Sequence, residues 1–401
     1  MDRPIIDFDQ WTPAYRANWE RLALEFAQRE VPLAWTEAHD GFWVLGSAAA
    51  AGEVLSDWAR FTSYNDLEGT GNGGRGETIP QMPYRLALGE SDPPLHTERR
   101  RLEAPWFTPK SIRLAATNTQ RFVDEAIDEV TAKGEVDLVN DIIIPTTART
   151  TLSHIGFDGD WRHAAYGAHK AIFTVPDDPE YPRDALAEMR KGFLEKIKQR
   201  RAAPNGDLIS SLAHGTVDGA PLGDDEAESM LNALVLGGFD TTAALTSRIL
   251  IWLLENPEHQ ERYLNDAAFQ KNAIEELLRY YPSATGVART AVQDTELLGL
   301  PIAKGERVFA WFAAVNRDPA LFPDGGRIDP ERANAHQHFS FSGGCHRCLG
   351  AQIGKSEAGI LTTSILRRLP ELKIDQSATR MFPSFGAVMG FIDQPATFSP
   401  R

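Results

Sequence analysis

The sequence predicts a mainly α-helical chain with minor β-sheets, and three features carry that reading. Apolar residues recur at helical spacing through most of 94–214 and again over 224–255, 267–281 and 349–368. β-Branched and aromatic residues gather only in short runs at 33–36, 41–45 and 308–312, with further short strands after 368. No linker rich in Pro, Gly or Ser divides the chain. A single domain over 1–401 is therefore expected, β-rich over about 30–65 and 300–312 plus the C-terminal strands, and helical over about 94–280 and 349–368.

Along the chain, residues 12–30 read as a helix of mixed charge, and two short strands follow. Residues 65–92 lose all periodicity and hold five glycines between Gly69 and Gly76, then Pro80 and Pro83. A loop that long inside a compact chain is usually functional or disordered. Asp92-Pro93-Pro94 opens the helical stretch, with Ser111 as a cap. Pro176, Pro179 and Pro182 interrupt it with a second mobile loop. As one helix, 224–255 spans about 48 Å, enough to cross the molecule. A further helix stops at Pro282, residues 316–342 wander, and the last helix covers 349–368.

The 401 residues are 42% hydrophobic and 24% charged, which suits a chain with a large core and excludes wholesale disorder, a collagen and a small stapled scaffold. The formal charge of −15 argues against nucleic acid as a partner. No run of about 20 apolar residues predicts a membrane span. The start, MDRPIIDFDQ, lacks the basic-then-apolar pattern of a signal peptide, so a soluble, cytoplasmic protein is expected. Two cysteines, Cys345 and Cys348, make no disulfide framework.

Two motifs mislead. Residues 69–74 fit GxGxxG, but neither a strand precedes them nor an apolar helix follows, so they are read as loop. Cys345 and Cys348 form a CxxC without a βαβ context, a second cysteine pair or a following histidine; that removes a thioredoxin site, a structural zinc site and covalent haem attachment.

Cys348 itself follows the Gly343-Gly344 pair and precedes Gly350 and a helix. A thiolate there meets the positive end of the helix, and the glycines admit close approach of something flat. A soft thiolate suits haem iron, yet a buried inert cysteine fits the same loop. Phe341, Gly344, His346, Cys348 and Gly350 match F-x-x-G-x-[HR]-x-C-x-G, and on these residues the sequence resembles the cytochrome P450 family over about 41–390. The resemblance implies that fold, with haem b between the long central helix and the helix after the cysteine loop, and Cys348 as the iron's axial ligand. Ser342 stands where glycine is usual, Ile353-Gly354 replaces Leu-Ala, and Cys345 occupies a variable position as a packing residue.

Other segments agree with it. Gly237 and Gly238 sit mid-helix, where each costs roughly 1 kcal/mol relative to alanine. Removing side chains there opens space against a ligand, and the Thr241 hydroxyl can disturb the helix hydrogen bonding. Leu236–Thr242 resembles the family's oxygen-activation motif, which makes Asp240 and Thr241 the proton-delivering acid–alcohol pair. Glu276 and Arg279, one turn apart, resemble its E-x-x-R motif, and Arg332 would complete a structural triad. His96 and Arg100 resemble its H-T-x-x-R motif; with Arg289 and His346 they would bind the haem propionates, Phe341, Gly237 and Gly238 also lying at the cofactor.

The family positions of the substrate pocket are Met82, Leu86, Leu88, Ile172, Phe173, Val235, Phe239, Thr285, Val287, Ala288, Val388 and Met389, a mainly apolar set that implies a hydrophobic small molecule. The implied activity is a haem-thiolate monooxygenase that inserts one oxygen atom of O2 by hydroxylation or epoxidation. NAD(P)H would feed it indirectly, through an external ferredoxin or flavodoxin-type donor, since no such domain is attached. A basic group of Arg99, Arg100, Arg101, Lys110 and Arg347 is the expected docking patch. A peroxide-using, coupling or dehydrogenating haem-thiolate enzyme is one alternative, and a non-catalytic haem sensor or binding protein is another.

Overall fold

The structure, a computed structural model, describes residues 3–174 and 178–400. They fall into two compact units, each built from separate stretches of chain.

The first unit comprises residues up to Glu98, Glu275–Cys348 and Pro383–Ala387. Its centre is a five-stranded sheet in the order Leu33–Thr36, Phe42–Leu45, Arg307–Trp311, Gly286–Ala291, Phe61–Thr62. The first two strands form an antiparallel hairpin; Arg307–Trp311 runs parallel to Phe42–Leu45 with Val308 opposite Trp43. Every residue of Phe42–Leu45 is fully buried, because both sheet faces are covered. That explains why this strand reads as a continuous apolar run rather than an alternating one. One face packs Trp43, Leu45 and Val308 onto Val54 and Leu55 of the Ala48–Ser56 helix. On the other, Phe8, Tyr15, Phe42, Phe309 and Trp311 pack at 4.8–6.1 Å between ring centres. The Trp311 indole N–H donates to the Tyr15 hydroxyl at 2.7 Å, which satisfies the one polar edge of the cluster.

The expected strand at 308–312 ends one residue early: Phe312–Val315 is a short helix. Between Thr62 and Leu95 the described chain has no named helix or strand, as its composition predicts. Carboxylates hold this loop instead. Asp66 accepts from the N–H groups of Thr70, Gly71 and Gly73, each at 3.0 Å. Glu90, deep in the loop, accepts from the Glu77 and Leu86 N–H groups at 3.2 and 3.0 Å. Burial and the neighbouring Glu77 push the Glu90 carboxyl up to about 7.

The second unit holds Arg99–Ile274, Leu349–Phe382 and the chain after Val388. Here Ala351–Arg368 packs on Pro109–Asp128 and on Asp240–Glu255. Gly354 allows the second contact, since a Cβ there would stand 3.3 Å from the Thr242 hydroxyl. Thr108, not Ser111, caps Pro109–Asp128 by accepting the Ser111 N–H. Pro109 fills the first helical position, where its missing N–H costs nothing, so the cap falls immediately before it. The expected interruption near Pro179 is present: one helix ends at Phe173 and the next begins at Arg183. Pro176 lies outside the described residues.

The expected single rod at 224–255 is two helices, Asp224–Gly238 and Asp240–Glu255, meeting at Phe239. The pair of glycines weakens the ladder there. Taken together the two are long and apolar enough to cross a membrane, but 61% of the most apolar stretch is buried within the protein.

Glu357 on Ala351–Arg368 is fully buried, hydrogen-bonded to Thr150, and burial raises its carboxyl well above the usual range. A raised acid stabilises the fold below its unfolded pKa and loses that contribution as pH rises through its folded pKa. Glu357→Gln has no such dependence. The variant should therefore melt ever higher relative to the parent as pH goes from about 5 to 8, and an unchanging difference in melting temperature would refute this.

Candidate active site

In the first unit the cysteine loop is shaped by two left-handed residues, Ser342 (φ 57°) and Gly344 (φ 60°). A Cβ on Gly344 would meet the Leu55 carbonyl oxygen at 2.3 Å, so only glycine lets the loop lie on the Ala48–Ser56 helix. Ser342 pays roughly 1 kcal/mol for a backbone that glycine adopts freely. The Ser342 N–H donates to Phe339 O at 2.7 Å and the Cys348 N–H to Phe341 O at 2.9 Å. These bonds fix the backbone of Cys348, which is itself exposed; Cys345 is half-buried.

Next to this loop the rings of His96 and His346 lie 4.3 Å apart, and His346 Nε2 meets the Ser63 hydroxyl at 3.1 Å. Ser63 in turn donates to Asp92 at 3.1 Å. Arg289 is fully buried; its Nη1 donates to Ala288 O at 2.8 Å and stands 4.0 Å from the Glu77 carboxylate. Burial lowers the Arg289 pKa, opposed by Glu77 and Asp92. Its Nη2 is buried without a hydrogen-bond partner among the described residues. A buried guanidinium with a donor to spare suits a carboxylate.

Arg100 lies on Leu95–Glu103, partly exposed. Arg99 departs from expectation: it is buried and bridged to Glu226, with Nε at 2.6 Å from Oε1, and so does not belong to a docking patch. Consecutive helical residues turn by about 100°, so three arginines in a row cannot share one face. Arg101, Lys110 and Arg347 are exposed.

Glu276, Arg279 and Arg332 come together as the motif predicts. Arg279 donates to both Glu276 oxygens at 2.7 and 2.8 Å, and Arg332 Nε to Glu276 Oε1 at 3.2 Å.

In the second unit the Thr241 hydroxyl donates to Gly237 O at 2.6 Å, the expected disturbance of the helix ladder. Gly237 is exposed and a Cβ on it would touch nothing within 4 Å. Gly238 does not face that space: a Cβ there would strike the Thr151 hydroxyl at 2.6 Å, so its glycine answers to helix packing. The Asp240 carboxylate is buried and pairs through Oδ1 with Nδ1 of His169 on the Trp161–Phe173 helix. Sequence reasoning missed His169, because 71 residues separate it from Asp240 and no local pattern marks it.

The apolar set divides. Val235 and Phe239 are fully enclosed, as are Thr285 and Ala288, while Val388 and Met389 are buried. Two residues on a helix turn about 200°, which puts Val235 and Phe239 opposite Gly237. Ala233 and Leu234, partly exposed, stand on the Gly237 side, and counting the helical period from that glycine would have found them. Met82, Leu86, Leu88 and Val287 in the first unit, and Ile172 and Phe173 in the second, keep exposed surface.

Comparison with known proteins supplies the family. The family description Cytochrome P450 matches residues 178–396. The steroid C26-monooxygenase of Mycobacterium tuberculosis is 30% identical over 329 residues, 80% of this chain and 88% of that protein. The cytochrome P450 monooxygenase PikC of Streptomyces venezuelae is 32% identical over 387 residues, 93% and 89% of the two chains. Among solved structures, a mutant of P450 EryK in complex with erythromycin B is 27% identical and covers 97% of this chain and 98% of its own at a TM-score of 0.83. The Bacillus subtilis cytochrome P450 PksS, at 24% identity, shares the fold with a TM-score of 0.85 over 98% and 100% of the two chains. The chain thus belongs to the cytochrome P450 family, and is a monooxygenase that works with haem b and O2 on reducing equivalents passed from NAD(P)H by redox partners.

Proposed function

We propose that this enzyme hydroxylates a hydrophobic small molecule, with Cys348 as the haem iron's ligand and Asp240 and Thr241 as its proton-delivering pair. The observation that carries the reading is the Thr241–Gly237 bond beside the open face of Gly237. It sets a hydroxyl and a buried acid one helical turn from the open, side-chain-free Gly237. Haem supplies oxygen activation, electron density from a thiolate ligand favouring O–O cleavage. The chain supplies the rest. By the family resemblance, Arg289, His96, His346 and Arg100 would hold the propionates, with Phe341 and Gly237 as further cofactor-binding residues. Thr241 would orient a proton at its Oγ1, and Asp240 would replenish it.

The substrate reading rests on Met82, Leu86, Leu88, Ile172, Phe173 and Val287, apolar and partly exposed, and on relatives named for steroid and linalool oxidation. An absorption titration of the haem band with a panel of terpenes, steroids and macrolides tests it. A low-to-high-spin shift with one class identifies the substrate chemistry, and indifference to all of them would sink the hydrophobic assignment. The electron donor is an acidic ferredoxin or flavodoxin type drawn to exposed basic residues such as Arg101 and Lys110, so the rate at which it reduces the enzyme should fall as salt screens the attraction.

Thr241→Ala should keep haem and consume O2 while releasing peroxide, product per electron falling about 10-fold or more, the scale of one positioned proton donor. Unchanged coupling would remove Thr241 from the proposed role.

A further inference from the structure

The acid of the oxygen-activation segment does not end in the protein interior. His169 joins Asp240 Oδ1 through Nδ1, and both side chains are buried. The second polar atom of each, Asp240 Oδ2 and His169 Nε2, is buried and makes no hydrogen bond to a described residue. The imidazole packs against a pair of touching aromatic rings, Phe173 at 5.3 Å and Phe382 at 5.7 Å. His169 also lines a polar groove of about 490 Å³ at the surface of the second unit. Lys133, Asp141, Arg149 and Arg162 belong to that groove, as does Glu125, which pairs with Arg149. One buried imidazole thus borders a wet, charged groove and grips the acid beside Thr241. Resting on the proposed role of Asp240, we infer that His169 is the positioning residue through which protons pass from this groove to Asp240.

The step balances as a single proton transfer. A proton from the groove reaches His169 Nε2, which is shielded from solvent at rest, and the resulting imidazolium gives its Nδ1 proton to Asp240 Oδ1. Asp240 passes that proton on as its carboxyl turns. The imidazole is left with its proton on Nε2 and regains the Nδ1–H form by exchanging protons with water of the groove. Two nitrogens on one ring are what this requires, and histidine is the side chain that offers a donor and an acceptor together. The neighbouring phenylalanine rings offer the imidazole no competing polar partner.

The test compares three variants in the holoenzyme. His169→Phe keeps an aromatic ring against Phe173 and Phe382 but removes both nitrogens. His169→Gln can still hold Asp240 by a hydrogen bond but cannot pass a proton from one atom to another. Asp240→Asn probes the reading on which the relay rests. Both His169 variants should retain haem, lose about 10-fold in product per electron, and show a larger solvent deuterium isotope effect and a flattened pH profile. His169→Gln with parental coupling and pH profile would overturn the relay. If Asp240→Asn leaves coupling intact, the underlying reading fails instead. If Asp240→Asn uncouples and His169→Phe does not, only the relay fails. A second readout needs no turnover: ring nitrogen NMR of histidine-labelled, ferrous carbon-monoxide-bound enzyme. The His169 proton should sit on Nδ1, exchange with solvent, and lose that preference in Asp240→Asn; a ring N–H closed to solvent exchange overturns the proposal.

Discussion

Cys348→Ala should yield a folded chain whose haem, if retained, lacks the thiolate spectrum, with turnover reduced by well over 100-fold. The loop that presents the sulfur is built without it: Gly344 against Leu55 O, and the Ser342 and Cys348 N–H groups on Phe339 and Phe341 carbonyls, are backbone features that alanine preserves. Removing outer-shell partners of a metal ligand alone costs 10–100-fold, so losing the ligand itself must cost more. The ferrous carbon-monoxide absorption band reads the ligand directly. Cys345→Ala, the control three residues away on a half-buried side chain, should leave that band unchanged. A thiolate band surviving in Cys348→Ala would overturn the assignment.

The second large effect is on stability. Arg279 is fully buried, and its guanidinium spends its donors on Glu276 and on the carbonyls of Asn316, Gly325 and Arg327, each at 2.7 or 2.8 Å. The Glu276 carboxylate is likewise fully buried and also receives the Asp329 N–H at 2.8 Å. Arg279→Met fills similar volume but leaves a buried carboxylate with Arg332 as its remaining ion-pair partner, and takes the guanidinium donor from the Asn316 and Gly325 carbonyls. Removing one partner of a buried pair costs about 3–5 kcal/mol, a large part of the ~5–15 kcal/mol that holds a domain folded. Arg332→Met should cost less, because its side chain reaches solvent and two of its three carbonyl bonds are long, at 3.3 Å. Denaturant unfolding of both variants decides the order; an Arg279→Met loss below about 1 kcal/mol would show the triad to be dispensable.

What could be read from sequence was what local chemistry dictates. Cys348 with its glycines, Glu276 with Arg279, and Thr241 four residues after Gly237 are short-range patterns, and each appears where spacing puts it. Thr241 even makes the backbone bond that its position suggests. Arg332 was reached only through resemblance, 53 residues beyond Arg279. The misses are of two kinds. Helical phase was misjudged where one residue of register decides the face: Val235 in place of Leu234, Arg99 counted with Arg101. Long-range partners were invisible: nothing near Asp240 announces His169, and nothing near Gly238 announces Thr151. Ser111 in place of Thr108 is a smaller error of the first kind, since Pro109 already marks the helix start.

The sheet's strand order also constrains how the protein is made. Trp43 pairs with Val308, and the chain between them must be synthesised before the pair can form. At about 5–20 residues per second, the hairpin of Leu33–Thr36 and Phe42–Leu45 emerges from the ribosome tens of seconds before its partner strand exists. During that interval Phe42, Trp43, Val44 and Leu45, all destined for the interior, offer an open strand edge to whatever is nearby. Neither unit is a contiguous fragment. The first unit is completed only once residue 387 has been made, and until then these strand residues keep an open edge.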